Sequence, residues 1–434
     1  MTLISLHAIA AALVLMAVLA LVIVRPKGLE AGWAAGAGAA LVLVFGLLTP
    51  RALAAIFGDT WDAAATLIAL FVLSEALDAN GFFAWAALRL AHAARGSGWR
   101  LYMLALLLTT GVTALLANDG AVLMLTPIFA KLLTAIYPKR RLQLPLLFAA
   151  GFLADAMSVL FVPSNLTNII VADANHLTFL SVAAHMALPA FGAFIAVAGA
   201  FALRFRGELA ARYDVAAVGD ARAAVRDRAV FVVGWGVLAA LVVGYALAGE
   251  LGLPVAIVAA SAALIMLVLI HIRGLRTADA VLRAAPWTIL VYALGMFVVI
   301  TAAYNAHDLA FLTRPLQAFA APAAGARGAL AVGGIMALLA GAVNNLPATL
   351  LGVLALRAGG HVTALALYAL LIGVDIGAKL TLFGSLATLL WLGILRRHGI
   401  QVRWGEYLRE NWWVAVLALA AAFAGLLLTA ALMA

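Results

Sequence analysis

Two stretches of this chain set the same polar pattern inside sequence that is otherwise apolar. The first runs from Asp155 to Asn165-Leu166-Thr167-Asn168, the second from Asp375 to Ser385-Leu386-Ala387-Thr388. Asp matches Asp, Asn165 matches Ser385 and Asn168 matches Thr388, each at an interval of 220 residues (375 − 155, 385 − 165, 388 − 168). Ionisable and amide groups are costly in hydrocarbon and are kept there where they face a cavity or a solute. Their recurrence in matching halves points to a transporter built from an internal repeat, with its site between the halves.

The apolar background makes this a membrane pattern. Of 434 residues, 67% are apolar and 10% charged, against roughly half and a quarter in soluble domains. Apolar runs long enough to span a bilayer, about 20 residues each, recur along the whole length. The first, in Met1 to Val24, has no basic residue before it and reads as a retained span rather than a signal peptide. The net charge of +9 comes mostly from arginine in connecting loops. The positive-inside rule accounts for it, and no basic stretch interleaved with aromatics suggests nucleic acid. Cysteine is absent, which excludes disulfides and thiolate metal sites. No P-loop, zinc-protease motif or serine nucleophile elbow occurs, so no enzyme, metal or cofactor is expected.

Candidate spans are 3–24, 29–49, 62–79, 145–175 and 181–203 in the first half, then 229–249, 254–271, 286–303, 364–394 and 411–433 in the second. The spans 145–175 and 364–394 are interrupted helices. Each half also holds an apolar–polar–apolar unit, 99–137 around Asn118-Asp119-Gly120 and 329–356 around Asn344-Asn345, read as a re-entrant helical hairpin. The expected fold is an all-α polytopic membrane protein of two inverted-topology repeats, 1–203 and 229–434, each with about five crossings and one hairpin. The linker 204–228 is the most polar segment and reads as a solvated cytoplasmic loop. With it inside, most other basic clusters also fall inside, and both termini fall outside. Segment 82–95 is amphipathic and is expected to lie in the cytoplasmic interface.

The polar residues at the hairpin tips and helix breaks are the candidate solute site. At the first tip, Asn118 and Asp119 can cap the half-helices and also face a solute, with Gly120 permitting the turn. At the first break, Pro163 interrupts the helix and Ser164, Asn165, Thr167 and Asn168 follow at once. Asn344 and Asn345 form the second tip. Ser385 and Thr388 form the second break, where Gly377 and Gly384 must do the unwinding. Asp375 and Lys379 are spaced to pair on one helix face, whereas Asp155 has no such local partner. A carboxyl in a low-dielectric site can exchange protons near neutral pH, so Asp119, Asp155 and Asp375 with Lys379 are the candidate proton-coupling groups.

With these motifs the chain resembles the arsenical pump membrane proteins, the arsenite/antimonite efflux permeases (ArsB-type) of the ion transporter superfamily. The matching phrases are RPKGLEAGW (25–33), NGFFAWAAL (80–88), LLANDGAVLMLTP (115–127), AGFLADAMSVLFVPSNLTNIIVAD (150–173), APWTILVYALGM (285–296), NNLPATLLG (344–352) and FGSLATLLW (383–391). The resemblance implies export of arsenite and antimonite across the bacterial inner membrane in exchange for protons. It also implies scaffold and transport domains and a cytoplasmic ATPase partner of the ArsA type. Ala378 and Leu382 stand where the family often has prolines, and Val374 where some relatives carry cysteine. Trivalent arsenic favours thiolate. With no cysteine, the solute is expected as a neutral trihydroxide held by hydrogen bonds from Asn118, Asn165, Asn168, Asn345, Ser385 and Thr388. The rival readings are a sodium- or proton-coupled carrier of another small solute such as a carboxylate, and a passive membrane subunit of an ATP-driven pump.

Overall fold

The computed structural model describes residues 6–306, 308–360 and 362–433, without the side chain of Asp59. Residues 3–5 of the first expected span, and the ends of the two expected repeats at 1–5 and 434, lie outside the described residues. Eighteen helices carry the fold. The first half supplies α1 (Leu6–Val24), α2 (Ala31–Val44), α3 (Pro50–Ala79), α4 (Phe82–Ala93), α5 (Gly98–Leu116), α6 (Asn118–Ile136), α7 (Arg140–Ala156), α8 (Leu166–Asn175) and α9 (Phe179–Arg204). The second supplies α10 (Arg228–Leu251), α11 (Val255–Ile272), α12 (Trp287–Asn305), α13 (Ala310–Ala320), α14 (Gly325–Val343), α15 (Asn345–Ala358), α16 (Ala364–Gly377), α17 (Leu386–Arg397) and α18 (Trp404–Met433). The two sets correspond one to one in order. Eleven helical segments among the described residues are long and apolar enough to cross a membrane.

Packing between the halves is reciprocal. Helix α2 lies against α12 while its counterpart α11 lies against α3, and the last helices, α9 and α18, pack together. The second arm of each hairpin meets the post-break half-helix of the other half, α6 on α17 and α15 on α8. With no apolar driving force between helices in lipid, close backbone approach through small residues holds such contacts. At the α14–α16 seam a Cβ on Gly373 would sit 2.3 Å from the Gly333 carbonyl oxygen, and one on Gly377 would sit 2.4 Å from the Ala337 Cα. Gly377 is therefore a packing residue rather than the unwinding residue expected from the sequence.

Several boundaries differ from the sequence reading. Helix α2 has 14 residues, about 21 Å at 1.5 Å per residue, short of a hydrocarbon core of about 30 Å. Helix α3 starts early, at Pro50, because the Thr49 side chain accepts the Ala52 N–H at 3.2 Å. The amphipathic segment 82–95 is α4, with Phe82, Phe83, Ala86, Ala87 and Ala91 buried. It has an unexpected counterpart in α13, which buries Thr313, Leu316 and Ala320.

The linker is mostly exposed, as a solvated segment would be, and it is also docked by specific bonds. Tyr213 donates its N–H to Gly96 O at 3.0 Å and its hydroxyl to Ala91 O at 2.5 Å. Asn80 donates its side-chain amide to Asp227 O at 3.0 Å and accepts the Asp227 N–H at 2.8 Å. Asp227 caps α10; the N–H groups of Val230 and Ala229 and the nearby Arg273 hold its carboxyl below the ordinary carboxylate range. The pairs Arg141–Glu208, Arg204–Glu410 and Arg273–Asp227 tie this strap to α7, α18 and the end of α11, and Arg140–Glu406 joins α7 to α18.

The α14–α16 seam gives a matched test. Gly373→Leu should lower the thermal stability of the detergent-solubilised protein by about 1–3 kcal/mol or more through overpacking. Gly334→Leu, whose Cβ would meet nothing within 4 Å, should change it by less than about 0.5 kcal/mol. Equal effects would contradict the close-approach account.

Candidate functional site

The site begins where two helices stop. Helix α7 ends at Ala156, continues as a 3-10 turn (Met157–Leu160), and extends at Phe161 before a second turn (Val162–Ser164) with Pro163 near its start. Asn165 then opens α8, its side-chain oxygen accepting the Thr167 N–H at 3.4 Å. In the other half α16 ends at Gly377, a 3-10 turn (Ala378–Leu380) follows, and Ser385 opens α17 by accepting the Ala387 N–H at 3.1 Å. The second break therefore forms without a proline. Gly384 permits it, because a Cβ there would lie 2.2 Å from the Ala378 carbonyl oxygen.

The hairpin tips turn on single residues. Ala117 (φ 65°, ψ 155°) joins α5 to α6 and Asn344 (φ 90°, ψ 149°) joins α14 to α15. Non-glycine residues held there store about 1–3 kcal/mol each, a cost borne at functional sites. Gly120, expected at the turn, lies inside α6, where an added Cβ would sit 3.3 Å from the Ser74 hydroxyl. Asn344 caps its second arm by accepting the Leu346 N–H at 3.3 Å, whereas Asn118, the first residue of α6, accepts the N–H of its neighbour Asp119 at 2.8 Å.

The buried charges pair across the halves. Asp155, fully buried, forms an ion pair with Lys379 and accepts hydrogen bonds from Asn118 Nδ2 at 2.8 Å and Ser385 Oγ at 3.0 Å. Lys379 also donates to the Thr388 hydroxyl and to Gly151 O, both at 2.8 Å. Asp375, equally buried, accepts from Asn165 Nδ2 at 2.8 Å, the Thr167 hydroxyl at 2.9 Å and the Ser158 hydroxyl at 3.0 Å. The expected Asp375–Lys379 pair is thus corrected. The α-helix ends at Gly377 and Lys379 lies on a 3-10 turn, with 3.0 residues per turn, so the i, i+4 relation fails. The lysine reaches the aspartate of the other half instead.

Asn118, Asp119, Asn165, Thr167, Asn345 and Ser385 share one small hollow with Tyr292 and the apolar side chains of Ile289, Leu166, Leu346 and Leu386. It holds about 20 Å³ of space open to the centre of a water molecule, enough for one water. Asp119 and Asn345 line it, and neither side chain makes a hydrogen bond among the described residues. Four expected site residues stand behind this wall. Ser164 donates to Ala114 O at 2.9 Å, and Asn168 to Ser158 O at 2.7 Å. Asn344 donates to Phe383 O at 2.9 Å, and Thr388 donates to Asp155 at 3.4 Å. Sequence reasoning missed Tyr292, whose hydroxyl donates to Asn344 Oδ1 at 3.1 Å. It also missed Ser158, whose only signal was its place three residues after Asp155.

Comparison with known proteins places this arrangement among transporters. The family described as arsenical pump membrane protein matches residues 10–429. The arsenical pump membrane protein of Escherichia coli K12 is 38% identical over 394 residues, covering 90% of this chain and 92% of that protein. That of Yersinia enterocolitica is 38% identical over 400 residues, covering 91% and 92%. Among solved structures, the Alcanivorax borkumensis YdaH transporter, noted for an unusual topology, superposes with a TM-score of 0.51 at 19% identity, covering 86% of each chain. That likeness concerns the fold alone.

The buried ion pair can be tested by a double-mutant cycle. Asp155→Asn and Lys379→Met should each destabilise by about 3–5 kcal/mol, because each strands a buried charge. The double variant should lose clearly less than the sum in a thermal-unfolding assay. Additive losses would show that the two side chains do not act as a pair.

Proposed function

The chain belongs to the arsenical pump membrane protein family, and on that premise we propose that it exports arsenite and antimonite, as neutral trihydroxides, from the cytoplasm in exchange for protons. The observation that carries the reading is the single hollow walled by both hairpin tips and both helix breaks. In this reading residues 1–203 and 229–434 are repeats of opposite orientation in the bacterial inner membrane, the strap 204–228 is cytoplasmic and both termini are periplasmic. The basic side chains that pair at and beside the strap, Arg140, Arg141, Arg204 and Arg273, support that orientation.

The chemistry follows from which polar ends are free. A trihydroxide offers three donors and several acceptors, and it carries no charge that would need a counter-ion. Ionised Asp119 accepts its hydroxyls, and the Asn345 amide supplies both donor and acceptor. A proton arriving from outside at Asp119 removes the charge and an acceptor site together, so proton and solute compete for one carboxylate. That competition is the coupling. Asp155 is a weaker candidate for proton carrier than Asp119, because Lys379 already neutralises it. The hollow as it stands admits one water, whereas the trihydroxide has four heavy atoms, so loading requires a tip to move from its facing break. A carboxylate carrier is disfavoured because the one lysine near the breaks is engaged. An ATPase of the arsenical-pump type is a partner this reading admits but does not require.

Everted vesicles carrying this chain alone should accumulate arsenite under a proton gradient and stop when a protonophore is added. Uptake indifferent to the gradient would sink the exchange mechanism. Asp119→Asn should fold normally and lower gradient-driven uptake at least tenfold, through loss of charge-assisted hydrogen bonds of about 1.5–3 kcal/mol each. Full gradient-driven uptake by that variant would remove Asp119 from the proton path.

A further inference from the structure

A roomy cavity lies apart from the central hollow. It offers about 380 Å³ of space open to the centre of a water molecule, and Trp61, Asp62, Asp173, Thr178, Tyr245 and Arg357 stand in its wall. Tyr245 is 1% exposed, yet its hydroxyl has no hydrogen-bond partner among the described residues. A buried polar group left unpaired is costly, and whatever supplies the missing partner recovers that cost. Asp173 is half-buried and its carboxylate accepts no hydrogen bond among the described residues. The neighbouring Asp62 is already occupied, since its two oxygens accept the Val255 and Ala256 N–H groups at 3.1 and 2.7 Å.

Helix α8 joins this cavity to the hollow. Its first residues, Leu166 and Thr167, wall the hollow, while Ala172 and Asp173 wall the outer cavity. The six steps from Thr167 to Asp173 rise about 9 Å at 1.5 Å per residue. Val162, on the turn preceding α8, also borders the outer space. One short helix therefore separates the two.

The lining restricts the guest. Two carboxylates oppose an oxyanion. Arg357, whose Nε donates to Ala174 O at 3.3 Å, supplies one positive charge against the two. A metal cation lacks ligands, since no cluster of three or more His, Cys, Asp or Glu able to hold one occurs among the described residues. An unpaired phenol, an unpaired carboxylate and the Thr178 hydroxyl instead suit a neutral solute rich in hydroxyl groups. The geometry points to a second, outer binding site for the trihydroxide, occupied between the central hollow and the periplasm. This rests on the transport reading above.

Luminal inhibition in everted vesicles tests it, because the lumen then faces this cavity. Arsenite preloaded in the lumen should slow initial uptake by wild-type protein, and phosphate at the same concentration should not. In Tyr245→Phe/Asp173→Asn the half-inhibiting luminal arsenite concentration should rise about tenfold, consistent with losing hydrogen bonds of about 0.5–1.5 kcal/mol each. The KM for arsenite outside the vesicle should stay unchanged. Gly58→Trp gives a second route, since Gly58 borders the cavity and a Cβ there would meet nothing within 4 Å. It should weaken luminal inhibition likewise. Unchanged luminal inhibition in these variants, or equal inhibition by phosphate, overturns the outer site while leaving the transport reading intact. No arsenite uptake by the wild type overturns both.

Discussion

Each interrupted helix of this protein is completed by the other. An aspartate at the end of one helix, Asp155 or Asp375, receives hydrogen bonds from the break of the opposite half. Buried charge in a membrane is tolerated only when paired and bonded, so neither break can exist unless the other is in place. This mutual dependence explains why the polar phrase must occur twice and at one fixed interval. It also explains why the breaks meet instead of sitting at separate depths. The hairpin tips close over the junction because Asn118 bonds Asp155 and the Asn345 N–H bonds Gly384 O at 2.8 Å.

The two halves are not equal, and the asymmetry is functional in character. Lys379 occupies the position that Val159 holds in the first half, giving three buried carboxylates one ammonium. Lys379 serves Asp155, hydroxyl and amide donors serve Asp375, and Asp119 is left facing the hollow. A fixed ion pair steadies the junction while an unpartnered carboxylate remains for exchange. Strain at Ala117 and Asn344 fits the same division, since both tips are held in conformations the surrounding packing must enforce.

Much of this was legible in the sequence because hydrocarbon penalises polar side chains so heavily. The repeat, both breaks, both tips and the shared hollow followed from where Asn, Asp, Ser and Thr interrupt apolar runs. What was not legible depended on three-dimensional neighbours. The pairing of Lys379 with Asp155 could not be read from an i, i+4 rule that presumes an unbroken α-helix. The turn at Ala117 was masked by the nearby Gly120, which is a residue of close packing here. Helix α13 escaped notice because Pro315 and Arg314 resemble loop residues, although Leu312, Leu316 and Phe319 follow a helical period. The linker's polarity suggested solvation, but not that its backbone is bound by Gly96 and Asn80 and its Tyr213 hydroxyl by Ala91, through bonds that no local pattern announces.

The central claim is that a small neutral hydroxide sits where both tips and both breaks meet. Antimony scatters X-rays anomalously, so its position can be located directly in crystals grown with antimonite. The account predicts an anomalous peak in the hollow, in contact with Asp119 and Asn345, with the tips moved apart to admit it. A peak elsewhere in the membrane region, with the hollow still closed around Asp119, would contradict it.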